Sequence, residues 1–139
     1  MSPTYEMRIE QGKIAEFARA TMSDHPDFAG ENAVAPPTFL TTSGFFWQTD
    51  ESKAVAAHGL DRARTLHAQQ EYIFHGEPPH AGQVLTASAR IADRYEKVGK
   101  RGGTLTFVVV VTEYRDEQGN LVAEQRSTAV ETAHAPKAG

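Results

Sequence analysis

The sequence has 139 residues, 40% of them hydrophobic and 23% charged, with a formal net charge of −4 and no cysteine. That length suits one domain with a real core, and the acidic balance argues against a nucleic-acid groove or an anionic-membrane patch. Without cysteine there is no disulfide, thiol nucleophile or thiolate-held metal. No apolar run reaches the roughly 18 residues needed to cross a bilayer, and no charged-then-apolar leader pattern opens the chain, so the cytoplasm is the expected compartment.

Residues 4–9 alternate Tyr5, Met7 and Ile9 with Glu6 and Arg8, the period of a short strand with one buried face. Residues 11–22 change to helical spacing, with Ile14, Phe17, Ala18 and Thr21 on one face and Lys13, Glu16 and Arg19 elsewhere. Pro26 pushes His25 out of the helical region and ends that helix. After a polar loop comes the most apolar and aromatic stretch of the first half, residues 34–47. Pro37 suits the first turn of a helix, because its missing N–H would have no intrahelical partner there. The spacing predicts a helix from Pro37 carrying Phe39, Leu40, Phe45, Phe46 and Trp47. Its threonines and Gly44 make it a poor helix alone, so it should form mainly because other structure wraps it. Residues 49–60 read as a surface excursion over one end of that helix, with a helical turn or two at 54–58 and Gly59 as its C-cap.

From Arg64 onward the period is two and four long strands are expected: residues 66–74, 83–97, 104–114 and 121–132. The connections are turn-rich at 77–82, glycine-paired and basic at 100–103, and a hairpin turn at 116–120. The β-branched run Phe107-Val-Val-Val-Val111 predicts a central strand buried on both faces. Residues 133–139 read as a frayed tail. One helix wrapped by a curved antiparallel sheet is an α+β hot-dog fold, here a single domain over residues 1–139.

Several landmarks occur in order: residues 17–26 ending in Ser23-Asp-His-Pro26, then Ala35-Pro-Pro-Thr-Phe39, Leu66-His67, Pro78 and Gly82. Gly103-Thr-Leu-Thr-Phe-Val-Val109 and residues 116–123 complete the series. With these the chain resembles the N-terminal-half type of MaoC-like dehydratases, the fatty-acid-synthase-like dehydratase branch of the hot-dog superfamily. Competent relatives, the (R)-specific enoyl-CoA hydratases, carry Gly-Asp-x-Asn-Pro-x-His, whose Asp and His activate the water that adds across a 2-enoyl thioester. Both groups must reach one water, so the residue types are not interchangeable. Aligned on Pro26, this chain has Ser23 at the Asp position and Phe28 at the His position. Asp24 and His25 are the titratable residues that remain, although neighbours on a turn normally point different ways.

The resemblance therefore implies a degenerate half. It would be the subunit of a heteromeric enoyl-CoA hydratase or 3-hydroxyacyl-thioester dehydratase that shapes the acyl tunnel. Its partner, in a heterodimer or heterotetramer, would be a MaoC-type catalytic chain acting on an acyl-CoA or acyl-carrier-protein thioester. No cofactor is implied. The substrate-facing candidates are Pro37, Thr38, Phe39, Phe45, Trp47 and His67, with plain core as the other role open to the aromatics. Lys100 and Arg101 suit CoA or carrier phosphates as donors, or are ordinary solubilising charges on an edge hairpin. His67 and His75, eight apart on one strand, should face the same side. With His80 they suggest a metal, but separations of eight and five do not gather three ligands on one rigid element, so no metal is expected. No Gly-x-Ser-x-Gly context surrounds Ser23, Ser43 or Ser88, which removes a serine hydrolase. Two other readings stay open: a stand-alone hot-dog thioesterase, for which Glu31 is the candidate carboxylate, and a non-catalytic acyl-thioester-binding homodimer.

Overall fold

A computed structural model describes residues 2–135; residues 136–139, part of the expected tail, lie outside that range. The sheet has five antiparallel strands: β1 (Thr4–Arg8), β2 (Thr65–Phe74), β3 (Val84–Val98), β4 (Thr104–Arg115) and β5 (Leu121–Glu131), in the order β1-β3-β4-β5-β2. The helices are α1 (Gln11–Ala20), α2 (Ser43–Phe46) and α3 (Asp50–Val55). This is the hot-dog architecture, with the helical segments on one face of a curved sheet.

Alternation does what the sequence promises in β1, where Tyr5 and Met7 are buried and Glu6 and Arg8 are exposed. Those side chains meet Leu85, Ala87, Tyr114 and Ala123 from the sheet and Ile14, Phe39 and Leu40 from the helical layer in one apolar cluster. The central helix is shorter than expected. A 3-10 turn, Phe39–Thr42, runs straight into the single turn of α2, and Pro37 stands two residues ahead of it, exposed. Three threonines and Gly44 give this segment little intrinsic helicity, so only the turns that pack on the sheet are regular. Gly59 does not cap α3 either: Ala56 holds that position, and Gly59 is a separate left-handed residue three further on.

The run in β4 is central, the third of five strands, yet only part of it is buried on both faces. Val108 faces the helical layer and is fully buried; Val111 on the opposite face is buried between Arg90 and Arg126, its register neighbours, as long methylene stems allow. Phe107, Val109 and Val110 are only half-covered.

The β3–β4 turn depends on Gly103. Its φ is +79°, and a Cβ there would overlap the Cβ of Ala133. Gly103→Ala should therefore destabilise by about 2 kcal/mol or more, combining left-handed strain with a clash against the chain after β5. Urea unfolding at constant m would read it. At the β4–β5 turn Asp116 Oδ1 accepts from the backbone N–H of both Gln118 and Asn120 at 2.9 Å, and those bonds hold its carboxyl below the usual range.

Candidate functional site

The loop holding Ser23 to Phe28, the residues aligned with the motif by resemblance, follows α1. Met22, in left-handed conformation at φ +59°, turns the chain away from the helix, and Pro26 opens a 3-10 turn, Pro26–Phe28. His25 caps that turn, its Nδ1 accepting from Asp27 N at 3.2 Å, while its ring packs 5.6 Å from Phe28. Asp24 is exposed and makes no hydrogen bond to His25 among the described residues. Ser23 and Phe28, the residues that the resemblance aligns with the motif, are both half-buried. The loop is held down by Ala33 and Ala35, which bond with Ala81 and Pro79: Ala81 N to Ala33 O at 2.8 Å and Ala35 N to Pro79 O at 2.8 Å.

α1 and the Phe39–Trp47 segment border a cavity of about 320 Å³, to which the loop of Ser23 and Phe28 contributes no lining residue. Phe17, Phe39, Phe46 and Trp47 form its apolar walls, and Arg8, Glu10, Lys13 and Glu16 its charged rim. Phe39 is buried, edge-on to Phe17 at 5.5 Å between centroids. Trp47 is half-buried, and Lys13 Nζ lies 4.9 Å above the Phe46 ring. Volume and lining suit a modest apolar ligand group.

A chain of hydroxyls lies under this wall and could not be foreseen, because its members are dispersed along the sequence. Tyr5 Oη and Ser43 Oγ are 3.2 Å apart, and Ser43 Oγ and Tyr114 Oη 2.7 Å. Tyr114 Oη donates to Gln125 Oε1 at 2.8 Å. Burial pushes the Tyr114 phenol well above its ordinary pKa and raises that of Tyr5, so both stay neutral. The network anchors α2 to β1, β4 and β5, with every buried oxygen partnered.

The remaining sequence candidates do not converge on this cavity. Thr38 and Pro37 are exposed at the entry to the 3-10 turn, and Phe45 is 78% exposed, neither core nor cavity wall. His67 is exposed on β2, on the helical side of the sheet. It does not share a face with His75: the register skips Ala68 between His67 and Gln69, and one bulged residue reverses the parity of everything after it. Lys100 and Arg101 line a separate groove of about 730 Å³ with Leu66, Val98 and His134. Glu31 is exposed and lies on another groove with Glu6, Gln83 and Glu117. Among the described residues no three His, Asp or Glu side chains cluster as metal ligands.

Two His–carboxylate contacts occur among the described residues: His25 Nδ1 to Asp27 Oδ2 at 3.8 Å in the loop after α1, and the shorter one, His75 Nε2 to Glu124 Oε2 at 2.8 Å, with Arg126 3.6 Å from the same carboxylate. The His75–Glu124 pair is the hydrogen-bonded one. That pair, on β5 and the end of β2, lies on the outer face of the sheet, away from the cavity. The His75 hydrogen bond and the Arg126 charge hold the Glu124 carboxyl below its ordinary pKa. A carboxylate whose pKa is lowered by folding stabilises the fold above its unfolded value, and that contribution is lost as pH falls through the folded value. Glu124→Gln should therefore flatten the loss of stability between about pH 6 and pH 3, followed as the urea midpoint.

Residues 2–125 match a family model described as FAS1-like, dehydratase domain region. A UPF0336 protein of Mycobacterium tuberculosis is 32% identical over 129 residues, which cover 86% of this chain and 74% of that protein. The crystal structure of the C-terminally truncated HadBC (3R-hydroxyacyl-ACP dehydratase) complex from Mycobacterium tuberculosis superposes with a TM-score of 0.72 at 27% identity, over 93% of this chain and 95% of that one. The ChsH1–ChsH2 complex of the same organism gives a TM-score of 0.73 at 15% identity, over 98% and 86% of the two chains.

Proposed function

The chain belongs to the FAS1-like dehydratase-region family, and we propose that it is the non-catalytic subunit of a heteromeric (R)-specific enoyl-CoA hydratase or 3-hydroxyacyl-thioester dehydratase. The observation that carries the reading is the pair Ser23 and Phe28 at the positions aligned with the motif, together with an apolar cavity whose lining holds no histidine. Water addition to a 2-enoyl thioester needs a base to take the proton of water and an acid to deliver one to the α-carbon. Serine and phenylalanine do neither, so a second, MaoC-type chain supplies both. That HadBC and ChsH1–ChsH2 are complexes supports a partner chain.

In this reading Phe39 and Trp47 set the shape of the acyl pocket, with Pro37 and Thr38 at its approach and the exposed Phe45 at the subunit junction. His67 hydrogen-bonds substrate from the sheet. Lys100 and Arg101 meet the phosphates of CoA, or those of a carrier-protein arm, in the cytoplasm. The test is hydration of crotonyl-CoA and of a longer 2-enoyl-CoA by the chain alone and by the chain co-expressed with a hot-dog chain bearing Gly-Asp-x-Asn-Pro-x-His. Activity confined to the co-expressed sample supports the reading; equal activity from the chain alone overturns it.

A further inference from the structure

We propose that Ser43 is a positioning residue: its hydroxyl, seated between the phenols of Tyr5 and Tyr114, fixes the α2 wall of the cavity and so limits the length of acyl chain admitted. This rests on the part of the functional reading that makes the cavity an acyl pocket. α2 sits on the sheet against the usual order of polarity. Of its four residues only Ser43 is buried, at 3% exposure, while Phe45 and Phe46 are exposed. An amphipathic helix is ordinarily held by its apolar face; here a hydroxyl faces inward. One turn containing a glycine has little stability of its own, and no side chain caps it. Lys13 over the Phe46 ring adds little, because both side chains are solvated. Phe39 and Leu40 anchor the preceding turn, and beyond them the contacts of the serine hold α2 in place.

These contacts admit one order of donors. Gln125 Oε1 and Leu40 O can only accept, so the single Tyr114 hydroxyl proton goes to one of them, with Gln125 at 2.8 Å nearer than Leu40 at 3.3 Å. Tyr114 Oη then accepts from Ser43 at 2.7 Å, which leaves Ser43 to accept from Tyr5 at 3.2 Å. Each hydroxyl proton is used once, and the chain of bonds has a single direction, so α2 has one seat on the sheet.

The backbone of the same residue carries that seat to the cavity. Ser43 O accepts from the N–H of Trp47 at 3.0 Å and of Gln48 at 2.9 Å, and Ser43 N donates to Leu40 O. Thr42, Phe46 and Trp47 line the cavity, whereas Ser43 does not. Any shift of the serine therefore moves three lining residues together relative to α1, which supplies Phe17 and Ala20 to the facing wall. The width of the pocket is thus set from behind, by a hydroxyl that never touches the ligand.

Trp47 is the only tryptophan in the sequence, so its emission reports what occupies this wall. The test titrates the full chain with hexanoyl-CoA and dodecanoyl-CoA, saturated thioesters that cannot be hydrated, in wild type, Ser43→Ala, Tyr114→Phe, Tyr5→Phe and Val111→Ala. The wild type should bind the shorter chain about tenfold or more tighter, as a fixed pocket discriminates by chain length. Ser43→Ala and Tyr114→Phe should bring the two constants within about threefold by admitting the longer chain. Tyr5→Phe keeps its ring and loses only the longer of the two contacts with Ser43, so it should fold and shift the ratio in the same direction by less. Val111→Ala removes core on the opposite face of the sheet and should keep the wild-type ratio, which separates selectivity from a general loss of stability. A ratio unchanged in the serine and tyrosine variants, an equal change in Val111→Ala, or a wild type that binds both thioesters equally or neither would overturn the proposal. Any of these in a chain that still forms an active complex removes the role of Ser43 and leaves the functional reading standing. The expected ratios in a chain inactive in every complex support the role of Ser43 in an acyl pocket and remove the hydratase reading.

Discussion

Combined with a chain that carries the acid–imidazole motif, this protein is expected to hydrate crotonyl-CoA about 10²–10⁴-fold faster than it does alone, the range that positioned general acid–base groups supply. The difference follows from two side chains. The Ser23 hydroxyl makes no hydrogen bond to a base among the described residues, and Phe28 offers no proton-transfer group. Asp24 points to solvent, and His25 spends its Nδ1 on the backbone of its own turn. Adding the catalytic chain should raise kcat rather than only lower KM, because what is missing acts in the transition state.

Phe39→Ala should lower the unfolding free energy by about 3–5 kcal/mol, the cost of removing a buried aromatic from a packed core. Phe39 is 2% exposed, sits edge-on to Phe17, and is the point at which the helical layer meets the sheet cluster. Phe45→Ala, six residues on and 78% exposed, should change stability by no more than about 0.5 kcal/mol. Thermal or urea unfolding of the two variants side by side checks both. A large loss at Phe45 would mean that its ring is covered in solution, and a small one at Phe39 that the wall is not anchored there.

Much of this was legible from residue order. The period-two runs placed β3, β4 and β5 to within a residue or two, because their turns carry glycines whose positive φ and side-chain bonds stop a strand locally. The five residues of β1 were equally plain, each apolar side chain alternating with a charged one. The Pro37–Trp47 segment was misjudged in length, since proline and aromatics announce a buried helix but not how many turns the sheet will hold. The faces of His67 and His75 were misjudged because a single bulged alanine has no composition signal. Of the site, Phe39 and Trp47 were visible as apolar residues next to a proline pair. The Ser43–Tyr114 contact joins residues 71 apart, a separation no local pattern reports. The motif positions were readable only through the resemblance, as an absence.

The most direct test is kcat/KM of the assembled complex with crotonyl-CoA when this chain carries Asp24→Asn or His25→Asn, the second keeping a side-chain acceptor to cap the turn. If the acid and base belong to the other chain, both variants should match wild type within about twofold, while loss of the motif His there abolishes hydration. A fall of about 10²-fold or more on changing Asp24 or His25 would contradict the account and place the chemistry on this chain.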